Sequence, residues 1–520
     1  MMPFRAYSAF DRHAVALADQ PMVETESGSL SYREAAREVN RLLNGFAALG
    51  IGPDDRVALV AKNRAEVLLM LLAALKGGPV VVPVNHRLAP EEMAWIIDDA
   101  ECVAMFAEPE FVERLASADL PRIPQARRFV VGGSADGWRR FDDWLVEQSA
   151  VAPPASPDLK PAYLQIYTSG TTGRPKGVQL GEANCLAHQM AIMSSTDVEL
   201  AAGQRMYGGL PLFHVGGVFA ALWAVQRGTT LLFRRDFNPV EVNQLLGSGE
   251  LDHAAMVPAM IQACVAQPAD PGHSYERLRT MMYGASPIAP ALLRKAAERF
   301  GCGFLQVYGM TETHSVISTL CVQDHAAALA ARPELTMSAG RPVAGCHVRI
   351  VDENGRERGV GEVGEICVRG PQVMSGYWKR QDATDEAIRD GYMHTGDAGY
   401  IDADGYLFIV DRIKDIIVSG GENVSSSEVE HALLAHPNVA DAAVIGVPDP
   451  RWGEAVKAIV VPRGELDPDA LIAHCRGSLG GFKVPRSVDV VDAIPRNGAG
   501  KILKAVLREP YWQQQRRRVG

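Results

Sequence analysis

The chain reads as an α/β protein: a large multi-subdomain N-terminal domain with αβ-layered sheets over residues 1–411, and a small α+β C-terminal domain over residues 412–520. Three observations predict this. Strands and helices alternate from the N-terminus to the strand Tyr163–Tyr167, which favours layered, largely parallel sheets. From Ile350 the texture changes to short strands broken by the turns Asp352-Glu353-Asn354-Gly355 and Asp402-Ala403-Asp404-Gly405. From about Arg412 a smaller unit follows.

The elements justify themselves in order. Ser31 with Glu34 forms a capping-box signature. Ala35, Val39, Leu42, Leu43, Phe46 and Leu49 then recur at helical spacing, and Gly50 stops the helix. Arg56–Val60 predicts a strand, Ala65–Leu75 a helix, and Val80-Val81-Val82 a buried strand. Pro153, Pro154, Pro157 and Pro161 make 151–161 a loop. In the last unit the pattern predicts helices near Ser427–Leu434 and Asp467–Leu479. Strands are expected at Ala442–Val447, Ala455–Val461 and Ser487–Val491.

Composition narrows the function. With 520 residues, 47% hydrophobic and 22% charged, the chain can bury ample core and is not disordered. A net charge of −10 disfavours nucleic-acid binding, yet leaves room for an anion in a local pocket. The eight cysteines are dispersed, without CxxC or zinc spacing, as in reduced cytoplasmic proteins. Met1–His13 has no apolar core and does not read as a signal peptide, and the longest apolar run, Val67–Leu75, is too short to span a bilayer.

The most informative segment runs Thr168-Ser169-Gly170-Thr171-Thr172-Gly173-Arg174-Pro175-Lys176-Gly177-Val178. Three glycines, four hydroxyls and two cations in eleven residues after a strand make an anion cradle. It is not a Walker A loop: Pro175 replaces the second glycine, and Gly177 follows the lysine where Ser or Thr is required. No GxGxxG follows a strand, because Gly301-Cys302-Gly303 leads to Gln306.

Four further motifs follow in order: Tyr308-Gly309-Met310-Thr311-Glu312, Thr395-Gly396-Asp397, Asp411-Arg412-Ile413-Lys414-Asp415, and Pro495-Arg496-Asn497-Gly498-Ala499-Gly500-Lys501. With the loop, they make the chain similar to the adenylate-forming superfamily, in its acyl-CoA synthetase (AMP-dependent acid–CoA ligase) branch. The resemblance implies two half-reactions. A carboxylate first attacks the α-phosphate of ATP, giving an acyl-adenylate and pyrophosphate. Coenzyme A then displaces AMP.

Site roles carried by the resemblance are expectations. Thr168, Ser169, Gly170, Thr171, Thr172, Gly173 and Lys176 would hold the β- and γ-phosphates. Glu312, with Thr168 or a water, would bind Mg²⁺, which favours oxygen donors. Tyr308, Gly309, Met310 and Thr311 would contact adenine and the α-phosphate, and Gly284, Ala285 and Ser286 would line the other side of adenine. Asp397 would accept from both ribose hydroxyls, helped by Arg412. Lys501 would offset charge in the adenylation transition state. Lys414 would be the hinge of a mobile C-terminal domain, whose other face presents Gly420, Gly421 and Glu422 to pantetheine. Trp452 and Phe482 are candidates for contacting coenzyme A, with ordinary core aromatics the competing reading.

Leu210-Pro211-Leu212-Phe213-His214-Val215-Gly216-Gly217-Val218-Phe219 resembles the family's acyl-site motif. His214 would sit near the substrate carboxylate, with Val215, Gly216, Gly217 and Phe219 lining the pocket and the two glycines leaving room. No Asp, Glu, Arg or Lys lies between Tyr207 and Gln226, nor in Tyr283–Leu292. An amino acid or a dicarboxylate would need a counter-charge there. The pocket therefore reads as apolar, for a fatty, alicyclic or aryl acid. Expected partners are that acid and coenzyme A, without nucleic acid; a homodimer stays open. Three alternatives compete: loading of a carrier-protein phosphopantetheine, luciferase-like oxidation of the adenylate, and an inactive nucleotide-binding homologue.

Overall fold

A computed structural model describes residues 5–116, 118, 120–154, 156, 158–168, 174–419, 422–496 and 502–516. The first helix predicted from capping is Tyr32–Ala48. The Ser31 hydroxyl accepts from the Glu34 N–H, and the Glu34 carboxylate accepts from the Ser31 N–H, closing the box. Its stripe Ala35, Val39, Leu42 and Phe46 is buried. The helix Ala65–Leu75 is buried nearly throughout, which explains its lack of a polar face.

Among the described residues the strands form three sheets. In the eight-stranded one the order is Gly376–Tyr377, Lys176–Leu180, Leu164–Thr168, Val80–Pro83, Arg56–Val60, Cys102–Ala107, Arg128–Val130 and Arg139–Arg140. Its middle is parallel, as expected. One edge is an antiparallel hairpin, Leu164–Thr168 on Lys176–Leu180.

The fourteen-stranded sheet is parallel through Arg205–Gly208, His253–Met256, Thr280–Gly284 and Gly303–Tyr308. It then turns antiparallel through Ser318–Leu320, Ser338–Pro342, Leu407–Arg412 and Tyr392–Ile401. The parallel expectation gives way there: the tight turn 309–317 and the Asp/Gly turn 402–405 reverse the chain between directly paired strands. This path brings Tyr308, Asp397 and Arg412 into one sheet.

The third sheet belongs to the C-terminal unit: Ile417–Ser419, Glu422–Val424, Val439–Asp449, Gly453–Pro462 and Ser487–Val490. Helices Ser426–Leu434 and Pro468–Arg476 cover a core of Ile417, Val429, Leu433, Val444, Val456 and Leu471. No helix among the described residues is long and apolar enough to cross a membrane. All eight cysteines are free thiols.

Candidate active site

The hairpin Leu164–Thr168/Lys176–Leu180 ends with Thr168 opposite Lys176, so these two residues close the mouth of the glycine-rich loop. Ser169, Gly170, Thr171, Thr172 and Gly173 lie outside the described residues. Glu312 stands at the mouth. Its carboxylate accepts from Tyr377 Oη at 3.0 Å and from Thr168 Oγ1 at 3.4 Å. Tyr377 reaches it from a short strand paired to the hairpin, Tyr377 opposite Val178, and Lys176 Nζ lies 5.0 Å from the Tyr377 ring centroid.

The backbone that carries Glu312 is tightly wound. His314 and Ser315 both have positive φ, at 48° and 80°, and the Ser315 N–H returns to the Met310 carbonyl at 2.9 Å. A side chain at Gly309 would collide with the Ser315 carbonyl oxygen at 2.3 Å, so only glycine fits there. Ala285, also at positive φ (66°), is exposed beside the half-buried Gly284 and Ser286. Such strain concentrates at functional sites.

Glu312 is buried, and burial pushes its carboxyl above the usual range despite the hydroxyl donors. It forms no ion pair among the described residues. A buried carboxylate with two hydroxyl donors and no ion pair among the described residues fits a hard divalent cation such as Mg²⁺.

The second half of the site is a relay on the antiparallel strands. Tyr308 Oη donates to Asp397 Oδ2 at 2.7 Å, and Arg412 Nε meets Asp397 Oδ1 at 2.6 Å across the register pair Asp397↔Arg412. Each carboxylate oxygen keeps a second lone pair for a diol. Met310 and Thr311 are half-buried beside this relay. Glu365, which the sequence reading missed, accepts from the Gly396 N–H at 3.1 Å, holding the Thr-Gly-Asp turn, and lies 2.8 Å from His394 Nδ1. With Cys367 it forms the one metal-ligand-like trio among the described residues, but Arg389 Nη2 sits 2.7 Å from His394 Nδ1 and supplies the positive charge there.

The acyl motif forms a turn and a helix. His214 is at the N-cap of Val215–Arg227, Val215 is buried, and Phe219 stacks on Trp223 at 5.7 Å. The two glycines differ. A Cβ at Gly216 would meet nothing closer than 3.8 Å, whereas one at Gly217 would strike the Pro211 carbonyl oxygen at 2.2 Å. The expectation that both leave room is corrected for Gly217: its missing side chain admits the turn, not the substrate.

The other predicted residues fall on the C-terminal unit. Gly420, Gly421 and Lys501 lie outside the described residues. Ser419 pairs with Glu422 and also with Gly453, so the strand ends flanking 420–421 lie beside Trp452. Arg451 and Arg486 lie 4.7 Å and 5.4 Å from the Trp452 ring, and Phe482 is exposed with Lys483 against it. Lys414 is exposed in a short turn, its carbonyl bonded to Arg508 Nη1 at 3.1 Å. Beside it, Asp411 is buried and accepts from the Ser426 N–H at 2.7 Å.

Residues 10–378 match the AMP-binding enzyme family, and residues 428–501 match the AMP-binding enzyme C-terminal domain. The chain belongs to the AMP-binding enzyme family. The fatty acid–[acyl-carrier-protein] ligase ScoC of Streptomyces coeruleorubidus is 37% identical over 514 residues, covering 98% of this chain and 96% of that one. The feruloyl-CoA synthase of an Amycolatopsis species is 38% identical over 487 residues, covering 93% and 94%. The solved o-succinylbenzoate CoA synthetase from Bacillus subtilis, in complex with the acyl-adenylate intermediate OSB-AMP, superposes with a TM-score of 0.82 at 28% identity, covering 96% and 97%. This AMP-binding enzyme is thus an adenylate-forming acid–thiol ligase that uses ATP.

The glycine contrast gives a first expected outcome. Gly216→Trp shifts the preference of the AMP-binding enzyme towards smaller acids, measured as kcat/KM across a chain-length series. Gly217→Ala instead lowers stability by about 1–3 kcal/mol through overpacking, read by thermal melting. An unchanged profile for Gly216→Trp places that residue outside the pocket.

Proposed function

We propose that this enzyme activates an apolar carboxylic acid as its acyl-adenylate and passes the acyl group to coenzyme A. The observation that carries the reading is the convergence of Glu312, Tyr377 and Thr168 with the Tyr308–Asp397–Arg412 relay. One cluster suits a metal-bound polyphosphate, the other a ribose. The apolar helix face starting at His214 supports an acid without a second charge.

In this reading the loop mouth, Thr168 and Lys176, binds the leaving pyrophosphate. Asp397 and Arg412 fix the ribose, so the α-phosphorus stays in line for the carboxylate. Mg²⁺, held by Glu312 and Thr168, supplies charge neutralisation on the phosphates when bound. His214 sits at the carboxylate end of the acyl pocket. Lys501 meets the two anions where they join, and acts only in that half.

The thiol half uses the second face of the domain 412–520. Trp452, with Arg451 and Arg486 near its ring, offers an aromatic surface with cations for phosphates, which supports coenzyme A as acceptor. Loading of a carrier protein is the second reading, favoured by the likeness to ScoC. The deciding experiment is pyrophosphate release across a panel of carboxylic acids, then thioester formation with free coenzyme A. Adenylate formation without any thioester from free coenzyme A moves the reading to a carrier-protein acceptor. No release with any acid overturns it.

The hinge role of Lys414 yields a further expected outcome. Proline there fixes φ and restricts rotation of the C-terminal domain. Lys414→Pro keeps acyl-adenylate formation and lowers thioester formation about tenfold or more. A parallel fall in both halves removes the hinge from Lys414.

A further inference from the structure

Two charges of opposite sign stand at the loop mouth and do not meet. Among the described residues Glu312 and Lys176 form no ion pair with each other. One side chain, Tyr377, touches both. Its hydroxyl donates to Glu312 Oε1 at 3.0 Å, and Lys176 Nζ lies over its ring, 5.0 Å from the centroid. The two contacts use different parts of the ring. The O–H at its edge suits a carboxylate, and the electron-rich face suits an ammonium. Thr168 Oγ1 adds a second donor to the same Glu312 oxygen at 3.4 Å.

The backbone around Tyr377 is tied to both charged partners. The Met374 N–H donates to the Glu312 carbonyl oxygen at 2.8 Å, and the Trp378 N–H to the Gly177 carbonyl oxygen, next to Lys176, at 2.7 Å. Between them, the Tyr377 N–H donates to Thr384 Oγ1 at 2.9 Å. Trp378 is anchored in turn. Its Nε1 donates to the Asp99 carbonyl oxygen at 3.0 Å, and the Arg56 guanidinium lies 3.3 Å from its ring centroid. The segment 374–378 therefore bridges the turn that carries the anion and the strand that carries the cation, with Tyr377 fixed at the bridge.

We propose that Tyr377 is a positioning residue that keeps Glu312 and Lys176 apart, its hydroxyl on the carboxylate and its ring face on the ammonium, so that the anion stays open to a divalent cation and the ammonium to phosphates. The inference rests on the reading above, in which Glu312 takes Mg²⁺ and Lys176 the pyrophosphate end of ATP. The reason is electrostatic. Glu312 is buried, so its charge is little screened, and a lysine at the same mouth closes onto it unless each is met by something else. A closed pair must then be broken before either ligand enters. Tyrosine meets each charge without cancelling it. A neutral hydroxyl leaves the carboxylate its charge, and a ring face holds an ammonium less firmly than a phosphate does. Both groups are thus held in place and remain exchangeable to stronger partners.

The test reads metal binding rather than turnover. Mn²⁺, which takes the same oxygen donors as Mg²⁺, is titrated into the nucleotide-free enzyme and its free fraction followed by electron paramagnetic resonance. The wild type binds at a saturable site that Glu312→Gln weakens about tenfold or more. Tyr377→Phe keeps the ring and stays within about threefold of the wild type, whereas Tyr377→Leu removes the spacer and weakens binding about tenfold or more. Adding Lys176→Ala to Tyr377→Leu restores the affinity to within about threefold of Lys176→Ala alone, because the cation that closed onto Glu312 is gone. A merely structural tyrosine gives no such rescue. Wild-type affinity in Tyr377→Leu, a loss in Tyr377→Phe as large as in Tyr377→Leu, or no rescue by Lys176→Ala each overturns this inference alone. A wild type without a saturable site, or with one that Glu312→Gln leaves unchanged, overturns the Mg²⁺ reading of Glu312, and this inference with it.

Discussion

Lys501→Ala lowers the overall reaction by at least about 10²–10³-fold, the usual loss for one well-placed electrostatic donor. The same variant converts supplied acyl-adenylate plus coenzyme A to thioester at near wild-type rate. The asymmetry follows from charge. Two anions must meet for adenylation, a carboxylate and the α-phosphate, and Lys501 lies in a segment of small residues, Asn497-Gly498-Ala499-Gly500, able to bring a cation to that point. Once AMP is attached, no such encounter remains. The measurement is thioester formation from synthetic acyl-adenylate without ATP. Collapse of that half-reaction as well makes Lys501 structural or shared by both steps, and domain alternation is then wrong for this chain.

Glu312→Gln separates function from stability. The variant keeps the shape of the side chain and an oxygen that accepts from Tyr377 and Thr168, but loses the anion. Pyrophosphate release is expected to fall about 10²-fold or more, because the Mg²⁺ we propose at this carboxylate would lose its anionic ligand. Burial holds the Glu312 carboxyl above its ordinary range, so the folded chain keeps this proton to a higher pH than the unfolded chain does. The stability it contributes is complete below the ordinary carboxylate range and is lost as pH rises through the raised folded value. At neutral pH the ionised side chain is therefore a burden on the metal-free fold. Glu312→Gln raises the Tm of the metal-free enzyme at neutral pH and flattens its rise on acidification. Thermal melts from pH 5 to 8 without metal or nucleotide decide this. An unchanged or lowered Tm means that Glu312 is a structural carboxylate with a compensating partner.

Much of this was legible in the sequence, for identifiable reasons. Ser31 and Glu34 announced a helix because a capping box is local, and the box is present in hydrogen bonds. The strand Arg56–Val60 and the helix Ala65–Leu75 were legible because continuous burial leaves continuous apolar runs. The Tyr-Gly-Met-Thr-Glu turn and the Thr-Gly-Asp turn stood out because unusual backbone demands unusual composition, and the glycine-rich loop stood out by its composition alone. Tyr377 and Glu365 did not stand out. Each acts through a partner far away in the chain: Tyr377 through Glu312, and Glu365 through the Gly396 N–H. Neither carries a local signature. Gly217 was misread for the reciprocal reason. Sequence shows that a side chain is absent, but not whether the vacated space belongs to a ligand or to a neighbouring carbonyl.

The groups we propose to face the acid and those we propose to face the nucleotide stand on different pieces of the chain. Gly216, Phe219 and Trp223 share one face of a single helix, whereas the Tyr308–Asp397–Arg412 relay is bound into strands of the large sheet. Substitutions on that helix face can accumulate without disturbing the relay's hydrogen bonds. A lineage built this way can exchange its organic acid by drift at a few positions while the activating chemistry stays under constant selection. Descendants would then diverge in diet before they diverge in reaction.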